Sequence, residues 1–209
     1  MRTTAAVLEH TGGDIVISDV ELDPPGPGEV LVRIVGSGIC HTDVSAIAGS
    51  LPAPPPIVLG HEGSGIVEAV GPGVRKVAPG DHVVLSVGVH CGVCEQCLAG
   101  RPYACAAGMG MSFAGIMPDG TKRLHRDGAD VSHFFCQSSW ARHAVVPVEI
   151  AVKVPTDAPL EMLGPLGCGV QTGAGAVLNV AGVRPGDSVA VIGCGGVGLS
   201  AIMAAAASG

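Results

Sequence analysis

Residues 90–105 read HCGVCEQCLAGRPYAC and place Cys91, Cys94, Cys97 and Cys105 in the spacing Cys-x2-Cys-x2-Cys-x7-Cys. A loop this tight can bring four thiolates to one centre, and tetrahedral Zn2+ takes such ligands at about 2.3 Å. Four thiolates fill every position and leave a net negative charge, so a site of this kind is closed and structural. Disulfides are the usual fate of clustered cysteines in oxidising compartments; an iron–sulfur cluster is the sharper rival in reducing ones. The ferredoxin run has a shorter last gap and a Pro after its last Cys. Here Ala106 follows a gap of seven residues. Zinc is the better match.

Chemistry at an open metal must then come from other residues. Cys40-His41-Thr42-Asp43, Gly60-His61-Glu62 and Gly167-Cys168-Gly169 are three short Cys/His-bearing stretches. Cys40, His61 and Cys168 together would make a set of two thiolates and one imidazole, one pattern of a catalytic zinc site with a fourth position free for a substrate oxygen. Taken singly, each is weak evidence, since a buried Cys or His is more often plain packing. The H-E-x-x-H metalloprotease motif is absent, because Gly65 stands where its second His would be. Gly193, Gly195 and Gly198 form G-x-G-x-x-G, a pattern that points to a dinucleotide only between a strand and a helix.

The elements that would position these groups follow from periodicity. Spans 4–8, 14–20, 30–36, 65–70, 82–87 and 141–146 alternate or cluster Val, Ile and Ala between turns such as DPPGPGE, PAPPP, GPGV and APGD, which reads as a β-barrel or sandwich over residues 1–155. Beyond Pro155 the pattern changes. Spans 160–163 and 172–180 read as helical, 188–192 as a buried strand and 197–207 as a helix, which supplies the strand–turn–helix context for the glycines.

Composition supports a folded chain and excludes some partners. Of 209 residues, 47% are hydrophobic and 14% charged, so there is material for a core. The 33 Gly and 16 Pro are explained by turns between short strands. A net charge of −7 with scattered Lys and Arg argues against nucleic acid and anionic membrane surfaces. The uncharged stretch 188–209 is long enough to span a bilayer, but GCGGVG inside it makes a poor helix centre, so no membrane partner is expected. The first residues lack the apolar core of a signal peptide, and a cytoplasmic location is expected.

GHEGSGIVEAVGPGV, CHTD, the four-cysteine stretch, LGCGVQTG and VIGCGGVG together resemble zinc-dependent medium-chain alcohol dehydrogenases over essentially the whole chain. The resemblance is strongest to the aryl- or benzyl-alcohol branch. It implies a mainly β GroES-like barrel over residues 1–160, with a structural zinc lobe at 88–107. Residues 161–209 would be connecting helices and the first strand, glycine turn and helix of an α/β Rossmann domain, which stops short. By resemblance, Cys40, His61 and Cys168 match ligands of a catalytic zinc, and Cys91, Cys94, Cys97 and Cys105 those of a structural zinc. Two Zn2+ per chain are thus expected. Glu62 matches a carboxylate beside the metal, Asp43 the partner of the ligand histidine, and Thr42 the hydroxyl that takes the substrate proton. The relay histidine of some members is replaced by Ser45, so proton exit is open between Ser45, water and His41.

For the cofactor, the resemblance assigns His41, Thr172, Gly193, Gly195, Gly196, Val197 and Gly198. The acidic residue that tells NAD from NADP lies about 20 positions past the glycines, beyond Gly209. NAD is expected and NADP is not excluded. Leu51, Val87, Gly110, Phe134 and Phe135 match the substrate pocket, where small Val87 and Gly110 leave room and the Phe pair could flank a ring. Expected partners are a small alcohol or aldehyde and, for the complete enzyme, further copies in a homodimer or homotetramer. A glutathione-dependent formaldehyde dehydrogenase is the alternative. A non-catalytic zinc module is the alternative of another class.

Overall fold

Apolar side chains at every second position set the first strands. β1 (Arg2–Leu8) buries Thr3, Ala5 and Val7 on one face and pairs antiparallel with β2 (Ile15–Leu22). The computed structural model describes all 209 residues. β3 (Glu29–Ser37) is followed by α1 (His41–Ile47), β4 (Ile57–Val58), β5 (Gly63–Val70) and β6 (His82–Leu85). A loop then carries α2 (Glu95–Leu98) and α3 (Ala106–Ala114), and the chain continues through β7 (Leu124–Arg126), β8 (Ala129–Val131), β9 (His143–Pro147) and β10 (Ala151–Lys153). Past β10 come short 3-10 turns at Leu160–Met162 and Gly164–Gly167, α4 (Gly169–Gly175), a π-helical turn at Ala176–Ala181 and α5 (Gly196–Ala207). No helix is long and apolar enough to cross a membrane.

The strands form two five-stranded sheets, β4-β1-β2-β7-β8 and β10-β6-β5-β3-β9. The larger core cluster centres on the second sheet, with Val30, Val32, Val83 and Leu85 fully buried. A second cluster, including Val7, Leu22 and Val145, lies mainly on the first sheet and reaches β9 of the other. A third, of Leu8, Ala46, Ile57, Leu59 and Phe134, lies under α1. Register shifts at Leu31/Val32 and Ile34/Gly36 bend β3 where it pairs with β5. The turns at 160–167 pack back on the second sheet: Ser64 Oγ donates to the Leu160 carbonyl at 2.6 Å. α4 and α5 cross closely because Gly173 has no side chain; a Cβ there would stand 2.1 Å from the Val197 carbonyl oxygen.

Several sequence expectations need correction. Residues 188–192 do not form a buried strand: the backbone pairs with no neighbour, Ile192 is fully exposed and Val189 41% exposed. No strand of the chain runs beside this segment, and a strand without a ladder has nothing to hold it. The first 155 residues are mainly β as expected, with short helices that the sequence reading did not foresee. α1 and α3 are short, and the glycines and β-branched residues in them mask a helical period. Strands β4, β7, β8 and β10 have two or three residues each, too few to show alternation.

One charged pair ties the two sheets' loops together. Arg123 donates to both carboxylate oxygens of Glu29 at 2.9 Å, with side-chain exposures of 12% and 7%. Burial opposes the Arg123 charge, but Glu29 and Asp119 outweigh it and raise its pKa. Removing one member strands the other in a dry site. Arg123→Met is therefore expected to cost roughly 3–5 kcal/mol in urea denaturation. The double variant Glu29→Leu/Arg123→Met should recover most of that loss; a double variant as unstable as the single one would show that the stranded charge is not the cause.

Candidate active site and metal centres

Asp43, on the first turn of α1, organises the first centre. Its carboxylate has no solvent exposure and accepts three hydrogen bonds: from the amide of Cys40 at 3.0 Å, the amide of Gly60 at 3.0 Å and His61 Nδ1 at 3.1 Å. Gly60 sits at φ +88°, and a Cβ there would stand 2.4 Å from the Trp140 ring and 2.6 Å from its backbone nitrogen, so only glycine lets this turn lie against the 139–140 segment. With Nδ1 donating to Asp43, the other ring nitrogen is buried with no hydrogen-bond partner.

That nitrogen belongs to a set. Cys40, His61, Glu62 and Cys168 bring one ligand atom each to within 4.8 Å of one another. Cys40 caps α1, His61 and Glu62 precede β5, and Cys168 precedes α4. Burial raises the Cys40 thiol pKa, but the Thr42 hydroxyl and His61 outweigh it and the net direction is down. Burial raises Cys168, with His61 opposing. Burial disfavours a charge on His61, but Asp43 and Cys168 override it and push its pKa up to about 10. A cation that takes the buried nitrogen must therefore displace a proton. The donor set of two thiols, one imidazole and an adjacent carboxylate fits Zn2+ with room for a further ligand. The Thr42 hydroxyl lies 3.5 Å from the Cys40 sulfur. Glu62 accepts from the Gly169 amide at 3.1 Å, which joins it to the loop carrying Cys168.

The second centre is the lobe. Sulfurs of Cys94 and Cys97 are 3.5 Å apart, Cys94 and Cys105 3.9 Å, and Cys91 and Cys105 3.6 Å. Disulfides at about 2.05 Å are excluded. Four sulfurs at about 2.3 Å from a tetrahedral centre lie about 3.8 Å apart, which these separations match. Amides of Cys91, Cys94 and Gly108 donate to the sulfurs and offset negative charge. Those of Cys91 and Gly108 hold the Cys105 thiol down to about 6, while burial and the neighbouring sulfurs push Cys97 up to about 12.

One cavity opens on the first centre, and a second lies beyond Phe135 without touching any of the four ligand residues. The first, of about 410 Å3, is lined by Cys40, His41, Glu62, Gly169, Gly196 and Val197. The second, of about 450 Å3, is lined by Val87, Tyr103, Met109, Phe135, Gln171 and Thr172, among others. The Phe135 ring stacks on His61 at 4.9 Å between centroids. Of the expected cofactor residues, His41, Gly196 and Val197 thus face the cavity beside the metal set. Gly193, Gly195 and Gly198 line an adjoining groove with Gly173 and Ala176, which shares Gly196 and Val197 with that cavity. Thr172 lies instead with Val87 and Phe135, and its hydroxyl donates to the Cys168 carbonyl at 2.8 Å. Of the expected pocket residues, Val87 and Phe135 line the 450 Å3 cavity. Phe134 is fully buried in the core under α1, and Leu51 and Gly110 lie outside the cavity lining. Tyr103, Met109 and Gln171 have no sequence signal: nothing in the lobe's spacing says that its outer turn walls a cavity.

Each centre has its own test. The intact protein is expected to bind two zinc ions per chain. Cys94→Ser should lose one ion and destabilise the fold, because structural zinc contributes folding energy. Cys168→Ala should lose the other ion and leave the lobe loaded. One ion per wild-type chain, measured by metal analysis, would contradict the first centre.

Residues 26–156 match the family described as the alcohol dehydrogenase GroES-like domain. The chain is 52% identical over 207 residues to a geraniol dehydrogenase of Castellaniella defragrans, covering 98% of this chain and 55% of the relative. It is 42% identical over 206 residues to an S-(hydroxymethyl)glutathione dehydrogenase of Escherichia coli, with 98% and 56% covered. The benzyl alcohol dehydrogenase structure from Acinetobacter calcoaceticus superposes with a TM-score of 0.94 at 45% identity, over 100% of this chain and 56% of that one. The chain thus spans about half the length of the relatives it matches. The two curled sheets are the GroES-like fold, and the chain belongs to the medium-chain alcohol dehydrogenase family.

Proposed function

We propose that the protein is a zinc-dependent alcohol dehydrogenase that oxidises primary alcohols, of the aryl or benzyl type, to aldehydes with a nicotinamide dinucleotide as hydride acceptor. The observation that carries this is the buried, partnerless ring nitrogen of His61 converging with Cys40 and Cys168. Zinc held there supplies Lewis acidity that lowers the pKa of an alcohol hydroxyl. Thr42, beside the Cys40 sulfur, would relay the alcohol proton, its own hydroxyl proton passing on to Ser45, water or His41. Asp43 holds His61 in the tautomer that leaves its other nitrogen free. Gly196 and Val197 present the glycine turn to the cavity containing Cys40, so residues 161–209 are read as the opening of the dinucleotide-binding domain. NAD is the proposed acceptor.

The substrate class follows from the larger cavity. Val87 leaves it wide, and Phe135, Tyr103 and Met109 give it apolar walls. Relatives named for geraniol and for benzyl alcohol fit this reading. The glutathione-adduct alternative, which a 42% identical relative keeps open, would need cations for the adduct's carboxylates. No Lys or Arg lines the cavity.

Two outcomes test the proposal in the intact protein. Thr42→Ala should keep its zinc yet lose roughly 10²–10⁴-fold in rate; an unchanged kcat would remove Thr42 from proton transfer. Benzyl alcohol should have a higher kcat/KM than ethanol, and Val87→Phe should shift preference toward small alcohols. A wild type that prefers ethanol, or that turns over only a glutathione adduct, would overturn the substrate reading.

A further inference from the structure

The segment 134–140, FFCQSSW, holds an uncommon shape. Phe135, Cys136 and Ser138 have φ of 53°, 52° and 52°. Side chains other than glycine avoid this left-handed region, and such outliers persist only where the surroundings enforce them. Here the enforcement comes from the metal-site turn itself. Ser139 N donates to the Gly60 carbonyl and Trp140 N to the Leu59 carbonyl, both at 3.0 Å. The Trp140 indole donates to the Gly38 carbonyl at 3.2 Å, and Ser138 Oγ accepts from Phe134 N at 3.0 Å.

Gln137 lies at the centre of this segment and has no solvent exposure. Its Oε1 accepts the Gly63 amide at 2.7 Å, and its Nε2 faces the Leu85 carbonyl at 3.5 Å. Gly63 directly follows His61 and Glu62. A Cβ on Gly63 would stand 2.7 Å from the Ser139 Cβ and 3.0 Å from Gln137 Oε1, so the short bond depends on glycine there. Asp43 thus fixes the start of the His61–Glu62 turn, at Gly60 and His61, and Gln137 fixes its end. The same strained segment seats Phe135 on the His61 ring. A buried polar side chain is costly to keep unless its hydrogen bonds are satisfied, as those of Gln137 are here.

We propose that Gln137 is a positioning residue whose amide fixes the His61–Glu62 turn, so that His61 keeps its nitrogen directed at the metal set. This rests on the reading of Cys40, His61 and Cys168 as a metal site. The test is zinc release from the intact, zinc-loaded protein to the chromogenic chelator 4-(2-pyridylazo)resorcinol, with amide hydrogen exchange at Gly63 measured in parallel. The wild type should release two ions in two phases, the site phase being the one missing in Cys168→Ala. Gln137→Met, similar in size but with no comparable acceptor, should speed the site phase about tenfold and accelerate exchange at Gly63, with the lobe phase unchanged. Gln137→Glu keeps an acceptor oxygen and should return both readouts toward wild type. Unchanged site release in Gln137→Met, or equal acceleration of both phases, would overturn the positioning role while leaving the metal reading intact. A single phase of one ion in the wild type would overturn the metal reading, and this proposal with it.

Discussion

Everything at the candidate site turns on one buried carboxylate. Asp43 receives three hydrogen bonds from two stretches of the chain: the Cys40 amide three residues before it, and the adjacent Gly60 amide and His61 ring between β4 and β5. A carboxylate with no access to water is tolerated only when such donors surround it. The surrounding structure supplies them by bending β3, by a glycine at position 60 that lets its turn meet the Trp140 backbone, and by packing Ala46 of α1 against Leu8 and Leu59. The site is therefore a consequence of how the sheets and α1 are joined, and a change in either stretch reaches the His61 nitrogen through Asp43.

The two thiol centres divide the work. The lobe's four sulfurs are mutually close and amide-solvated, a closed arrangement suited to holding a loop. The Cys40, His61 and Cys168 set is drawn from separated parts of the chain, borders one cavity directly and meets a second only through the Phe135 ring. The centres are not isolated, since Cys105 of the lobe lines the same cavity as Phe135, whose ring lies on His61. The loop that one metal would order is thus a wall of the space that serves the other.

Local signals were legible in the sequence, and long-range ones were not. The lobe's spacing named its four cysteines because the ligands are neighbours in the chain, and their sulfurs converge as expected. The main strands showed through their alternation. Cys40, His61 and Cys168 were each weak alone, since nothing local says that residues as far apart as 40 and 168 will meet; ligand chemistry suggested the set and the family resemblance gave it weight. The failures have the same origin. The 188–192 run looked like a buried strand, but pairing is decided by partners, and none is beside it. Phe134 and Phe135 are identical neighbours, yet the left-handed turn at 135 sends one to the core and the other to the cavity. Gln137, buried in an apolar context, carries no motif at all.

Zinc K-edge X-ray absorption on the intact protein tests the Asp43-centred site most directly, because it reports the atoms bound rather than the number of ions. A lobe of four thiolates together with a site of two thiolates and one imidazole gives a first shell averaging about three sulfurs per zinc, with outer-shell scattering from an imidazole. A shell of four sulfurs with no imidazole signal would mean that only the lobe holds metal, and that His61 is a core histidine held by Asp43 for packing alone.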